Sequence, residues 1–80
     1  MDIVMIKQEG CNPCTMFEPT AKKIAEDHSL GFRTVMDTDL PENVKLPYFP
    51  FFFFYDNGEI KDQWGGTSDR KMLSVIKRNI

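Results

Sequence analysis

The hydrophobic positions of this chain fall into short continuous runs and helical stripes, separated by proline, glycine and charge. Ile3, Val4, Met5 and Ile6 form an apolar run that ends at Lys7. Such a run predicts a strand buried on both faces, as in a sheet covered by helices. The period then changes. Phe17, Ala21, Ile24, Ala25 and His28 recur at helical spacing, with Glu18, Lys22, Lys23 and Glu26 on the other side. Asn12 then Pro13 predict an N-cap and first helical position, because proline's missing N–H is one of the unpaired donors there. Gly31 predicts the stop, and Pro19 predicts a kink within the helix.

Residues 32–36 alternate well enough for a second strand, and Asp37 to Pro47 reads as a polar loop with at most one helical turn. Phe51 to Tyr55 is a second apolar run. Asp56-Asn57-Gly58 follows it as a hairpin signal, and Glu59 to Trp64 returns as the antiparallel partner. Gly65-Gly66 breaks that strand, and Thr67 or Ser68 caps a last helix with Met72, Leu73, Ile76 and Ile80 on its apolar face. Lys77 and Arg78 suit the C-terminal end of its dipole. The predicted order is β-α-β-loop-β-β-α: an α/β domain with a four-stranded mixed sheet and helices packed on it.

Tyr48, Phe49, Phe51, Phe52, Phe53, Phe54 and Tyr55 are seven of the ten aromatic residues. Alternation sends Phe51 and Phe53 to one face and Phe52 and Phe54 to the other, and both faces are expected to lie under helices. Tyr48 and Phe49 are the candidates for an exposed patch that contacts partners. Trp64 is expected in the core or at its rim.

The chain has 80 residues and a formal net charge of −2, which bounds it to one small domain over residues 1–80. A near-neutral, mixed charge argues against nucleic acid held on a basic face. No run reaches the roughly 18 apolar residues of a membrane span, and the first residues lack the pattern of a signal peptide. The expectation is a cytoplasmic monomer without metal or bound cofactor.

Candidate chemistry centres on Cys11 and Cys14. A structural zinc site wants four ligands, and the chain offers only His28 and carboxylates beyond its one pair. Haem attachment needs histidine after the second cysteine, where this chain has Thr15. Iron–sulfur clusters normally take four cysteines. A pair of inert thiols is the bland alternative. Against it stands their position where an apolar strand meets a proline-started helix, whose N-terminus stabilises a thiolate. A sulfur about one turn further on can attack a mixed disulfide formed on the first. Lys7 is a charge near Cys11, or simply an exposed lysine at a strand end.

Cys11-Asn12-Pro13-Cys14 resembles the active site of the thioredoxin/glutaredoxin family, and further landmarks follow in order. Pro19 falls where thioredoxins carry a helix-kinking proline, Pro50 where they carry a cis-proline, and Gly66 and Leu73 keep similar spacing. The size is closer to glutaredoxins and to small redoxins of phages and archaea. The resemblance implies a minimal thioredoxin fold and a thiol–disulfide oxidoreductase. Cys11 would be the nucleophile and Cys14 the resolving thiol. Asn12, Pro13, Phe49, Pro50, Gly65 and Gly66 would contact substrate. It also implies protein disulfides as substrates, ribonucleotide reductase among them, and a thioredoxin reductase or glutathione as electron source. Met5 stands where the family has a buried aspartate, and Gly10 where it has an aromatic residue. Gly65-Gly66-Thr67-Ser68-Asp69 resembles the segment with which glutaredoxins hold glutathione, so Thr67, Ser68 and Asp69 are candidate glutathione contacts. The same residues also make an ordinary helix start. A redox-inactive, partner-binding subunit with this fold is the remaining alternative.

Overall fold

The computed structural model describes all residues, Met1 to Ile80. Strand β1 (Asp2–Lys7) leads into helix α1 (Asn12–Asp27), strand β2 (Gly31–Met36) and a single 3-10 turn at Asp37–Asp39. After an irregular segment come β3 (Phe51–Asp56), β4 (Glu59–Gly65) and helix α2 (Asp69–Asn79). The sheet order is β2-β1-β3-β4. β1 is parallel to β2 and antiparallel to β3, and β3 is antiparallel to β4. The apolar run of β1 is thus central, and Ile3 to Ile6 are all buried.

The register assigns the faces. Ile3 pairs with Phe54 and Met5 with Phe52, and Phe52 pairs with Trp64. These side chains form one cluster with Cys14, Phe17, Ala21 and Ala25 of α1 and Met72, Val75 and Ile76 of α2. Phe52 is its centre, with its ring stacked on Trp64 at 4.9 Å and meeting Phe17 edge-on at 5.9 Å. Trp64 is therefore core. Val4, Ile6 and Phe51 form a second cluster on the opposite face, flanked by Val35, Leu40, Leu46, Phe49, Phe53 and Tyr55.

That second face corrects an expectation: no helix covers Phe51 and Phe53. Both helices contribute to the same cluster, so both lie on one side of the sheet. A parallel crossover such as β1-α1-β2 commits its helix to a single face, and α2 returns to that face from the edge strand β4. Leu40, Leu46 and Phe49 of the irregular segment cover the other side instead.

Local details sharpen other boundaries. The left-handed residue after α1 is Ser29 (φ 59°), not Gly31. Gly31 is the first residue of β2, where the Asp2 side chain packs so closely that a Cβ would overlap its carboxylate. The glycine serves a close approach rather than a helix stop. α1 continues through Pro19. At the hairpin Asn57 and Gly58 both have positive φ, at 54° and 77°, as a type I′ turn requires. Gly65 still pairs with Phe51, so the strand breaks at Gly66. Ser68 is the cap of α2, accepting a hydrogen bond from the Lys71 N–H at 3.1 Å.

On α2 the buried stripe is Met72, Val75 and Ile76, whereas Leu73 is half-buried and Ile80, past the helix end, is 61% exposed. Asn79 continues the stripe of Met72 at i+7. It donates to the Val75 carbonyl at 2.8 Å and to Asp62 at 2.9 Å. Asp62 on β4 also accepts two hydrogen bonds from the Arg78 guanidinium, at 2.6 and 2.9 Å. Arg78 holds this carboxyl well below the ordinary carboxylate range, against the opposing effect of burial, and bonds from Asn79 and the Gln63 N–H help. A depressed folded value contributes stability above the unfolded value, about pH 4, that is lost as pH falls through the folded one. Asp62→Asn is therefore expected to lower the melting temperature at pH 7, with the difference from the wild type shrinking below about pH 4. Parallel thermal melts across pH check this; a constant difference down to pH 2 would contradict it.

Candidate active site

The turn from β1 into α1 positions the cysteines. The Cys11 N–H bonds the Gln8 carbonyl at 3.1 Å, and Gly10 takes a positive φ of 75°. Cys11 itself is the N-cap of α1, in place of the expected Asn12: its sulfur accepts a hydrogen bond from the Cys14 N–H at 3.1 Å. Asn12 and Pro13 are instead the first two helical residues. A sulfur can cap here because the turn brings it, rather than the Asn12 amide, over the free N–H groups that open a helix.

Cys11 and Cys14 are joined by a disulfide, with α-carbons 5.3 Å apart. The two sulfurs sit in unlike surroundings. Cys11 is half-exposed, whereas Cys14 is 1% exposed and belongs to the main core cluster with Met5, Phe17 and Phe52. A recess of about 230 Å³ opens onto the bridge, and its lining includes Lys7, Cys11, Asn12, Cys14, Thr15 and Met36. A larger recess of about 340 Å³ lies along the 37–49 segment, with Asp37, Glu42, Lys45 and Phe49 in its wall. It holds no sulfur, so chemistry rather than size selects the recess at the bridge.

The remaining candidate residues gather at the same end of the sheet. Ile6, near the end of β1, pairs with Phe51, and Phe51 pairs with Gly65. That places the Phe49–Pro50 segment and Gly65–Gly66 beside the β1–α1 turn. The Phe49–Pro50 peptide bond is cis, and the Pro50 carbonyl accepts a hydrogen bond from the Gly66 N–H at 2.9 Å. Neither the N–H nor the C=O of Phe49 enters any backbone hydrogen bond of the chain. Tyr48 is 48% exposed, while Phe49 is half-buried and packs against both clusters. The exposed patch is thus Tyr48 more than Phe49. A Cβ on Gly65 would stand 2.5 Å from Tyr48 and 2.9 Å from Phe51, so only glycine lets the Tyr48 ring lie over the strand.

Thr67, Ser68 and Asp69 are exposed. The side chains of the last two are engaged by their own helix, Ser68 with the Lys71 N–H and Asp69 with the Arg70 N–H at 2.8 Å. One feature of the site escapes sequence reasoning. Lys7 donates to Glu18 at 2.8 Å, a partly buried pair joining β1 to α1. Its signal was faint: Glu18 lies four residues after Cys14, on the same side of the helix.

The thioredoxin family model matches residues 3–78. No curated protein matches the sequence. Among solved structures, a Schistosoma mansoni thioredoxin is 27% identical with a TM-score of 0.76, over 98% of this chain and 77% of that one. The Malassezia sympodialis thioredoxin Mala s 13 is 25% identical with a TM-score of 0.74, over 95% of this chain and 71% of its own. Thioredoxin 1 of Thermosipho africanus, 17% identical with a TM-score of 0.80, shares the fold over 99% of this chain and 93% of its own. With a cysteine pair bridged at the start of α1, a four-stranded mixed sheet and a family match over almost its whole length, the chain belongs to the thioredoxin family.

Proposed function

We propose that the chain is a thiol–disulfide oxidoreductase, a dithiol donor that reduces protein disulfides by cycling the Cys11–Cys14 pair. The observation that carries this reading is the half-exposed Cys11 sulfur capping α1, under the Cys14 N–H and bridged to a buried partner. A sulfur that accepts an N–H at a helix N-terminus is stabilised as the thiolate, the attacking form. In the reduced protein the Cys11 thiolate attacks one sulfur of a client disulfide; the client S–S bond breaks, the other client sulfur leaves as a thiolate, and a Cys11–client mixed disulfide forms. Cys14 then attacks Cys11, the client sulfur leaves as a thiolate, and the bridge is restored. The balance is two electrons to the client per bridge formed.

Phe49, Pro50, Asn12, Pro13, Gly65 and Gly66 are assigned to client contact. The unused Phe49 N–H and C=O support this, since an extended client segment can pair with them as an added strand. A thioredoxin reductase is the proposed electron source. A structural relative, 14% identical and so informative on fold alone, is a thioredoxin f2 in complex with ferredoxin:thioredoxin reductase. Ribonucleotide reductase is the client that the family likeness suggests. No helix is long and apolar enough to cross a membrane, and the proposed site of action is the cytoplasm, where catalytic disulfides are transient.

Glutathione is the rival donor, with Thr67, Ser68 and Asp69 as its contacts. The hydrogen bonds of Ser68 and Asp69 to the first N–H groups of α2 favour a capping role for them. Reduction of insulin disulfides with dithiothreitol as donor tests the activity. The expected result is catalysed precipitation of the insulin chains, and a rate equal to the uncatalysed blank would leave only a redox-inactive binding subunit. Repeating the assay with a thioredoxin reductase and with glutathione separates the two donors; faster turnover with glutathione would reverse the assignment.

A further inference from the structure

The proposed cycle makes a demand on Cys14 that the core around it does not meet. Cys14 must lose its proton before its sulfur can attack Cys11, yet it is 1% exposed and belongs to the buried cluster that holds Met5, Phe17, Phe52 and Met72. Apolar burial disfavours a thiolate. Cys11 has the helix N-terminus to offset that cost, whereas Cys14 spends its own N–H on the Cys11 sulfur.

One cation reaches the recess that both sulfurs share. Lys7 lines it, and the rest of the lining apart from the two cysteines is uncharged: Gln8, Gly10, Asn12, Thr15 and Met36. The Lys7 ammonium is held 2.8 Å from Glu18, and Glu18 lies one helical turn beyond Cys14, so the pair sits on the helix side that carries the buried sulfur. The other charges around the site are more remote or exposed. Glu9 is exposed in the turn before Cys11, Asp37 follows Met36 at the end of β2, and Lys22 shares a surface groove with Glu18. β3, β4 and α2 bring Phe52, Phe54, Trp64, Met72, Val75 and Ile76 to the cluster around Cys14, and no charged side chain of the chain is buried there.

Resting on the oxidoreductase reading above, we propose that Lys7 is a positioning residue for the resolving step. Its ammonium stabilises the Cys14 thiolate, and Glu18 both orients it and moderates its charge. The atoms balance without a further reactant. Cys14 gives up its proton, its sulfur bonds to Cys11, the Cys11–client bond breaks, and the departing client thiolate is protonated.

The reaction of the reduced full-length protein with dithiobis-nitrobenzoate separates the two sulfurs. The first thionitrobenzoate reports attack by Cys11, and the second reports attack by Cys14 on the resulting mixed disulfide. Followed from pH 5 to 9, Lys7→Met is expected to slow the second phase at pH 7 by about threefold to tenfold and to move its pH midpoint up. That range corresponds to a change of half a unit to one unit in thiol ionisation. Glu18→Gln is expected to move the midpoint down, because it leaves the ammonium uncompensated, and Lys7→Arg to restore the wild-type profile. Opposite signs from the two halves of one ion pair are not what a merely structural bridge gives. Coincident profiles, or shifts of the same sign, would overturn the inference while leaving the oxidoreductase reading intact. Absence of a second thionitrobenzoate from the wild type would instead overturn the dithiol cycle beneath it.

Discussion

Cys11→Ser is expected to reduce client disulfides no faster than the blank, whereas Cys14→Ser is expected to form a stable covalent complex with a client and stop there. The difference follows from where the structure puts the two sulfurs. The half-exposed Cys11 sulfur, under an N–H of the helix start, can meet a client disulfide. Cys14, 1% exposed, has Cys11 as its sulfur partner. Without Cys11 no mixed disulfide forms. Without Cys14 the mixed disulfide forms and nothing resolves it. Non-reducing electrophoresis of each variant with an oxidised client, alongside the insulin assay, reads both outcomes. A trapped complex with Cys11→Ser rather than Cys14→Ser would exchange the two roles, and equal activity of both would remove the dithiol mechanism.

The second large effect is on stability. Phe52→Ala is expected to cost about 3–5 kcal/mol, the range for emptying a buried aromatic site. At roughly 0.05–0.15 kcal/mol per residue, an 80-residue domain holds about 4–12 kcal/mol in total. That one change therefore removes a large part of the stability and leaves a substantial unfolded fraction at 37 °C if the wild type lies at the lower end. Phe52 is completely buried between Trp64 and Phe17, where sheet and α1 meet. Phe53, its neighbour on the helix-free face, is only half-buried, and Phe53→Ala is expected to cost about 1 kcal/mol. Urea titrations followed through the single tryptophan, Trp64, measure both. A larger loss from Phe53→Ala would mean that the second face, not the helix-covered one, carries the core.

This pair of phenylalanines also shows the reach of sequence reasoning. Strand geometry forces residues 51 to 54 to alternate, so their division between two faces was legible from the run alone. What lies over each face was not. Each helix had a readable apolar stripe, but a stripe does not say which side of the sheet it meets. Only the crossover and the return from β4 put both helices on one side, leaving Leu40, Leu46 and Phe49 to cover the other. On α2 the burial of Val75 rather than the expected Leu73 was likewise decided by docking. Both fit a helical period, and the rotation that buries Met72 and Ile76 with Val75 leaves Leu73 half-buried.

The site divides in the same way. The cysteine spacing, the helix start at their side and the order of Pro19, Pro50 and Gly66 are local patterns, and they were enough to point to the family and to the pair that carries the chemistry. Local sequence set which residues could cap, turn or alternate, because those choices depend on a few neighbouring dihedrals. The inequality between the two sulfurs, the Cys11 cap in place of Asn12, the approach of Tyr48 to Gly65 and the Lys7–Glu18 pair were decided by tertiary structure alone. Each depends on distance between segments far apart in the chain, or on burial, which has no value until the sheet and both helices have closed around the site.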